Sequence, residues 1–117
     1  ADVYWPVYDR TIHDVIEDAA IVHEKIILLE GNWLLLRDPA WQVLQQYADY
    51  TIFIRAAADS LKERLIQRKI RGGKSRSEAA AFYEKSDRYN IMRALEDSCE
   101  PDEMWELCAD GDYQKCL

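Results

Sequence analysis

Several things are scarce in this 117-residue chain, and each scarcity narrows what it can do. Its three cysteines, Cys99, Cys108 and Cys116, lack CxxC spacing, and only His13 and His23 are there to complete a metal site, so neither a disulfide framework nor a zinc-finger-type centre is indicated. Reduced thiols are expected. No apolar run approaches the ~18–20 residues needed to cross a bilayer, and the first residues carry neither a basic region nor the long apolar core of a secretory signal. Basic residues are outnumbered 22 to 15, and a formal charge of -7 opposes general affinity for nucleic acid or anionic membrane. These absences predict a soluble cytoplasmic protein with no nucleic-acid and no membrane partner.

Glycine is also sparse, four residues in all. Gly73-Lys74-Ser75 matches the last three letters of the phosphate-binding signature Gly-x-x-x-x-Gly-Lys-Ser/Thr. That loop needs its first glycine to start the tight turn whose N–H groups wrap the phosphates, and Arg68 stands in that place. The context differs too, because the glycine pair follows a charged amphipathic segment instead of a buried strand. The stretch is therefore read as a basic segment whose glycines act as a hinge without fixed structure and whose Arg and Lys reach phosphate oxygens.

What is present reads as one α/β unit over residues 1–117, since 49% apolar residues suffice for a core. The segment 1–25 opens with an aromatic, β-branched stretch interrupted by Pro6 and is expected to be short, extended and loop-bound. Residues 26–30, Ile-Ile-Leu-Leu-Glu, have the continuous apolar character of a strand buried on both faces of a parallel sheet, with Glu30 at its carboxyl end. Asp38 and Pro39 signal a helix start, and Trp41, Leu44 and Tyr47 share one face of it. Residues 50–54 read as the next strand. A helix capped by Asp59 then runs to the glycine pair, with Arg64, Arg68 and Arg71 along one face. Ser75 and Glu78 form a capping-box pattern for a further helical stretch that bends near Asp87 to Asn90. Alternating segments on both sides of Asp110-Gly111 predict a terminal hairpin.

The segments "WPVYDRTIHDVIEDA", "IILLEGNWLLL", "ADYTIFI", "RLIQRKIRGGKS" and "SDRYN", in that order and spacing, resemble the later half of P-loop kinases of the uridine kinase, phosphoribulokinase and pantothenate kinase group. The likeness is to the bacterial uridine kinase-like branch of nucleoside and nucleotide kinases and spans nearly the whole chain. It implies part of a three-layer P-loop NTPase-type fold with a mostly parallel sheet, here without the P-loop strand. It also implies transfer of the γ-phosphoryl group of ATP, with Mg2+, to an alcohol acceptor such as uridine or a related nucleoside. By that resemblance Tyr8, Asp9, Arg10 and His13 belong to the acceptor segment, Glu30 to the magnesium site, and Arg64, Arg68, Arg71 and Lys74 to the basic helix and lid that close over ATP. The alternatives are ordinary ones: a strand-end carboxylate capping a helix for Glu30, and a solvated face paired with Glu63 for the arginines. His23 is expected to be structural, and Trp33 and Trp41 to fill the core or cover sheet edges. Asp87, Arg88 and Asn90 match a recurrent patch of the group to which no chemical role is attached.

The group's P-loop and its general-base aspartate do not occur in these residues. By the resemblance they belong upstream of residue 1, the chain is the carboxyl-terminal part of a longer kinase, and by itself it is inactive. The place vacated by the P-loop strand implies unpaired backbone on its two neighbours, hence a homodimer or strand-swapped assembly. The competing expectation is a noncatalytic binding or assembly module with a kinase-like half-fold.

Overall fold

In the computed structural model, residues 2–116 are described and fall into two compact units, one ending at Glu30 and the other starting at Gly31. Each is a structure of its own.

The first unit is an antiparallel hairpin of β1 (Val3–Asp9) and β2 (Asp14–Val22), pairing Val3 with Val22 and Asp9 with Asp14. The segment expected to stay loop-bound is thus a strand, and the residues after it supply its partner. Val, Ile, Tyr and Trp favour the pleated conformation, and Pro6 is tolerated because the register shifts between Trp5 and Val7, where no ladder hydrogen bond is asked of its nitrogen. The turn is built locally: the Thr11 N–H and hydroxyl both donate to Oδ1 of Asp9, at 2.8 and 2.5 Å, and His13 adopts a left-handed φ of 54°.

Residues 26–30, expected to be a buried parallel strand, form no strand. Ile26 is 84% and Leu28 95% exposed. A strand exists only where a neighbour accepts and donates its backbone hydrogen bonds, and among the described residues nothing pairs with this run. Glu30 accordingly ends an exposed, extended apolar segment.

The second unit holds α1 (Pro39–Gln42) continued by a 3-10 turn to Tyr47, then β3 (Ile52–Ala56), α2 (Ala58–Arg71), α3 (Arg76–Phe82), a π-turn over Tyr83–Asp87, α4 (Arg88–Glu96), β4 (Glu103–Leu107) and β5 (Tyr113–Lys115). Asp38 caps α1 through its Oδ1 and Pro39 occupies the first turn, as expected. The cap of α2 is Ala57 instead of Asp59, which lies two residues further in, within the first turn. Asp59 still sits where an acidic side chain complements the helix dipole.

The sheet order is β3-β4-β5, with β3 parallel and β5 antiparallel to β4. The α/β expectation holds, but the sheet is mixed: the run at 26–30 adds no parallel strand, and Gly111, at φ 89°, lets β5 fold straight back after Asp110. At the amino ends of β3 and β4, Asp102 accepts from both the N–H and the hydroxyl of Thr51 and its own N–H donates back to that hydroxyl. The core lies where α2 meets α3 and the π-turn, with Ile66, Ala79 and Tyr83 buried and Leu65, Ile70 and Ile91 against them. Leu36 is fully buried in a second contact, where the Cys99 N–H donates to Leu35 O and the Arg37 N–H to Asp97 O. Among the described residues no helix is long and apolar enough to cross a membrane.

Candidate functional site

Tyr8, Asp9, Arg10 and His13 come together at the closed end of the β1–β2 hairpin. Tyr8 is on the strand opposite Val15, Asp9 closes the ladder, and Arg10 and His13 belong to the turn. Thr11 engages one carboxylate oxygen of Asp9, and those two hydrogen bonds hold the carboxyl below its usual range. Asp9 is ionised at neutral pH, and its Oδ2 accepts no hydrogen bond among the described residues.

The basic helix divides by partner. One side of α2 packs on the core through Ile66 and Ile70, and the cations near it are neutralised: Lys62 by Glu84 at 3.2 Å, Lys69 by Asp87 at 3.7 Å and over the Phe82 ring at 3.9 Å. Glu63 is held by Arg76 at 3.2 Å and by Gln67 at 2.9 Å, and these hydrogen bonds, Gln67 first, lower its pKa. Arg64, Arg68 and Lys74 are exposed and make no side-chain hydrogen bond or ion pair among the described residues, while Arg71 reaches only the backbone oxygen of Gln67 at 3.4 Å. The face is solvated, as the alternative reading has it, but Glu63 pairs with Arg76 and not with these arginines. The four predicted phosphate-binding cations have no acidic partner among the described residues, which is also true of Arg10, Lys25, Arg37 and Lys85.

The segment between α2 and α3 is ordered, contrary to the hinge reading. Gly73, at φ 100°, donates to Ile70 O, and Lys74 donates to Lys69 O, which together make a Schellman ending. Two residues on, Ser75 and Glu78 complete their capping box. Lys74 is thus carried on a hydrogen-bonded corner between two helices.

The SDRYN patch has a physical role that its sequence did not disclose. Asp87 ends the π-turn and holds Lys69, Arg88 holds Glu84 at 3.2 Å, and Asn90 leaves its amide exposed. Glu84 bridges Lys62 and Arg88 across a shallow cleft of about 230 Å³ that Asp59 and Tyr83 also line. Its pKa is lowered, by Lys62 first and Arg88 second. Those charges already satisfy one another, so this cleft covers the core and offers no free cation of its own.

A second cleft, missed by sequence reasoning, lies among Asn32, Trp33, Trp41 and Asn90. The two indoles meet edge to face, with centroids 6.1 Å apart and planes at 83°. No linear spacing links position 32 with position 90. Only the fold brings them together.

Glu30 has no partner among the described residues, and these contain no group of three or more Asp, Glu, His or Cys side chains placed to hold a metal. A single carboxylate suits magnesium only in the mode in which bound phosphates and water complete its octahedron.

No protein-family model matches the chain. It is similar to the uncharacterised Escherichia coli protein YggC, at 46% identity over 112 residues that make 96% of this chain and 47% of that protein. It is similar also to a Schizosaccharomyces pombe protein named "putative uridine kinase", at 28% identity over 93 residues, 78% of this chain and 39% of that one. Among solved structures, a "putative fructose transport system kinase" from a Silicibacter species superposes with a TM-score of 0.82 at 28% identity, over 89% of this chain and 52% of that one. The chain spans about half the length or less of these relatives. In sequence and in fold it is kinase-like.

Proposed function

We propose that this chain is the lid-bearing, acceptor-bearing part of an ATP-dependent small-molecule kinase that phosphorylates an alcohol, with uridine or a related nucleoside the first candidate. The observation that carries the reading is the clustering of Arg64, Arg68, Arg71 and Lys74, none with an acidic partner among the described residues, along α2 and the corner that follows it. Leaving cations unpaired in an acidic protein forgoes attraction that many nearby carboxylates would supply. A helix face that does so is suited to an external polyanion, and arginine's planar fork suits phosphate oxygens. Phosphoryl transfer asks the protein chiefly for positioning and charge neutralisation, which such a face supplies. The fold likeness to a protein named as a kinase supports the same reading.

In this proposal Glu30 contributes one carboxylate toward Mg2+, and Tyr8, Asp9, Arg10 and His13 contact the acceptor, a ring on Tyr8 and hydroxyls on the Asp9 carboxylate. The P-loop and the general base come from residues beyond these, and the chain by itself turns over nothing. The bare β3 edge and the exposed run at 26–30 support a homodimer or strand-swapped assembly.

The test is ATP consumption by a whole protein that contains this chain, across uridine, cytidine, fructose and pantothenate. Arg68→Ala with Arg71→Ala is expected to raise KM for ATP at least about tenfold, the effect of losing roughly 1.4 kcal/mol. Turnover of none of these acceptors, together with nucleotide affinity unmoved by the double substitution, would reject the kinase reading in favour of a noncatalytic module.

A further inference from the structure

We propose that the cleft among Asn32, Trp33, Trp41 and Asn90 binds a planar nitrogen heterocycle, the base of a nucleoside or nucleotide. The inference goes beyond the assignment of Arg64, Arg68, Arg71 and Lys74 to phosphate and does not depend on phosphoryl transfer.

Three features carry it. The first is shape: the cleft is an open depression of about 330 Å³, room enough for a flat ring lying against its wall. The second is chemistry. Two indoles set at 83° are among its lining residues, and aromatic ligands pack well against indole rings. Asn32 and Asn90 are exposed and hold no hydrogen bond among the described residues, so each amide presents one acceptor and two donor hydrogens to whatever enters. Amide donors and acceptors of this kind match those on the edge of a nucleobase. None of the four lining residues is charged, and the Arg93 guanidinium over Trp33 is neutralised by Asp38, which disfavours phosphate or metal as the occupant.

The third feature is preorganisation. Asp38 caps α1 with Oδ1 and accepts from Arg93 with Oδ2 at 3.2 Å, and the Arg93 guanidinium lies 5.1 Å from the centroid of Trp33. The capping residue, the cation and the first indole thus form one chain of contacts, and Trp41 stands on the helix that Asp38 caps. The Trp33 indole is thus held between Arg93 and Trp41, and side chains positioned before a ligand arrives lower the ordering cost of binding.

The four tryptophans, Trp5, Trp33, Trp41 and Trp105, give separate indole N–H signals in a two-dimensional NMR spectrum, each assigned by one Trp→Phe substitution. Titration of the 117-residue chain with adenosine and, separately, uridine is expected to move the Trp33 and Trp41 signals saturably while Trp105 stays in place. A response to one nucleoside identifies the base, purine or pyrimidine, that the cleft prefers. Asn90→Ala is expected to weaken the response at least about tenfold, with the unmoved Trp105 signal reporting intact folding. The proposal is overturned if neither nucleoside moves Trp33 and Trp41 saturably up to millimolar concentration, if only Trp5 responds, or if the double variant Asn32→Ala, Asn90→Ala binds as the parent does. None of these outcomes requires kinase activity, so each is separate from the fate of the kinase reading.

Discussion

At the start of β4 Glu103 takes hydrogen bonds from the Tyr50 hydroxyl at 2.5 Å and the Trp105 indole at 2.9 Å and forms an ion pair with the Lys115 ammonium at 3.2 Å. Tyr50 first and Lys115 second pull its pKa below 4.5, and the same contact pushes the Tyr50 phenol above 10. A carboxyl whose folded pKa is lowered contributes stability above its unfolded value and loses it as pH falls through the folded one. Glu103→Gln is therefore expected to narrow the gap between urea midpoints measured at pH 7 and pH 3.5. An unchanged gap would mean that Glu63, Glu84 and Asp9, also lowered, carry the whole acid response. At Cys108 burial, then Asp110 and Glu106, push the thiol pKa up, whereas Cys116 is exposed. Iodoacetamide followed by mass spectrometry at pH 7.5 is expected to label Cys116 well before Cys108, because the thiolate is the reacting species.

At the scale of elements, the corner between α2 and α3 is the feature on which the lid cations depend. Ser75→Ala removes the capping-box acceptor and is expected to cost about 1 kcal/mol, read as a lower urea midpoint. Gly73→Ala places a Cβ at φ 100°, where nothing nearby clashes but the backbone itself is unfavourable, and about 1–2 kcal/mol is expected. Much of this architecture was legible in advance. Asp38-Pro39, Ser75 to Glu78, the glycine pair and Asp110-Gly111 are local signals, and each works through backbone hydrogen bonds made within a few residues. The partner strand β2 was not foreseen, nor the π-turn at Tyr83–Asp87, one step before the expected bend. Both are settled by pairing and packing beyond any local window.

For the whole molecule the narrow core has consequences. Ile66, 4% exposed, is one of few buried apolar side chains, and Ile66→Ala is expected to cost about 2–5 kcal/mol, a large share of the ~5–15 kcal/mol of an ordinary domain. Circular dichroism at 25 °C should show loss of much of the helical signal. β3 is an edge strand with Ile52 and Ile54 more than half exposed, a row of unsatisfied backbone groups beside apolar side chains. Size-exclusion chromatography with light scattering is expected to find a dimer at micromolar concentration, and Ile54→Lys to return it to monomer with its secondary structure intact. A compact monomer of the parent chain would rule out pairing through this edge.

The helices, the caps at Asp38 and Ser75, the turn at Gly111 and the exposed arginine face were determined by the sequence alone, because each depends on periodicity or on residues a few positions apart. Tertiary structure decided the rest. It left Ile26 to Leu29 without a strand partner, although their composition suits one, because a strand is a property of a pair. It decided which cations are spent on Glu63, Glu84 and Asp87 and which stay free, since partners 13 to 22 residues away cannot be read from spacing. It also set Asn32 and Asn90 beside two indoles, a juxtaposition of residues far apart in the chain that only folding can make.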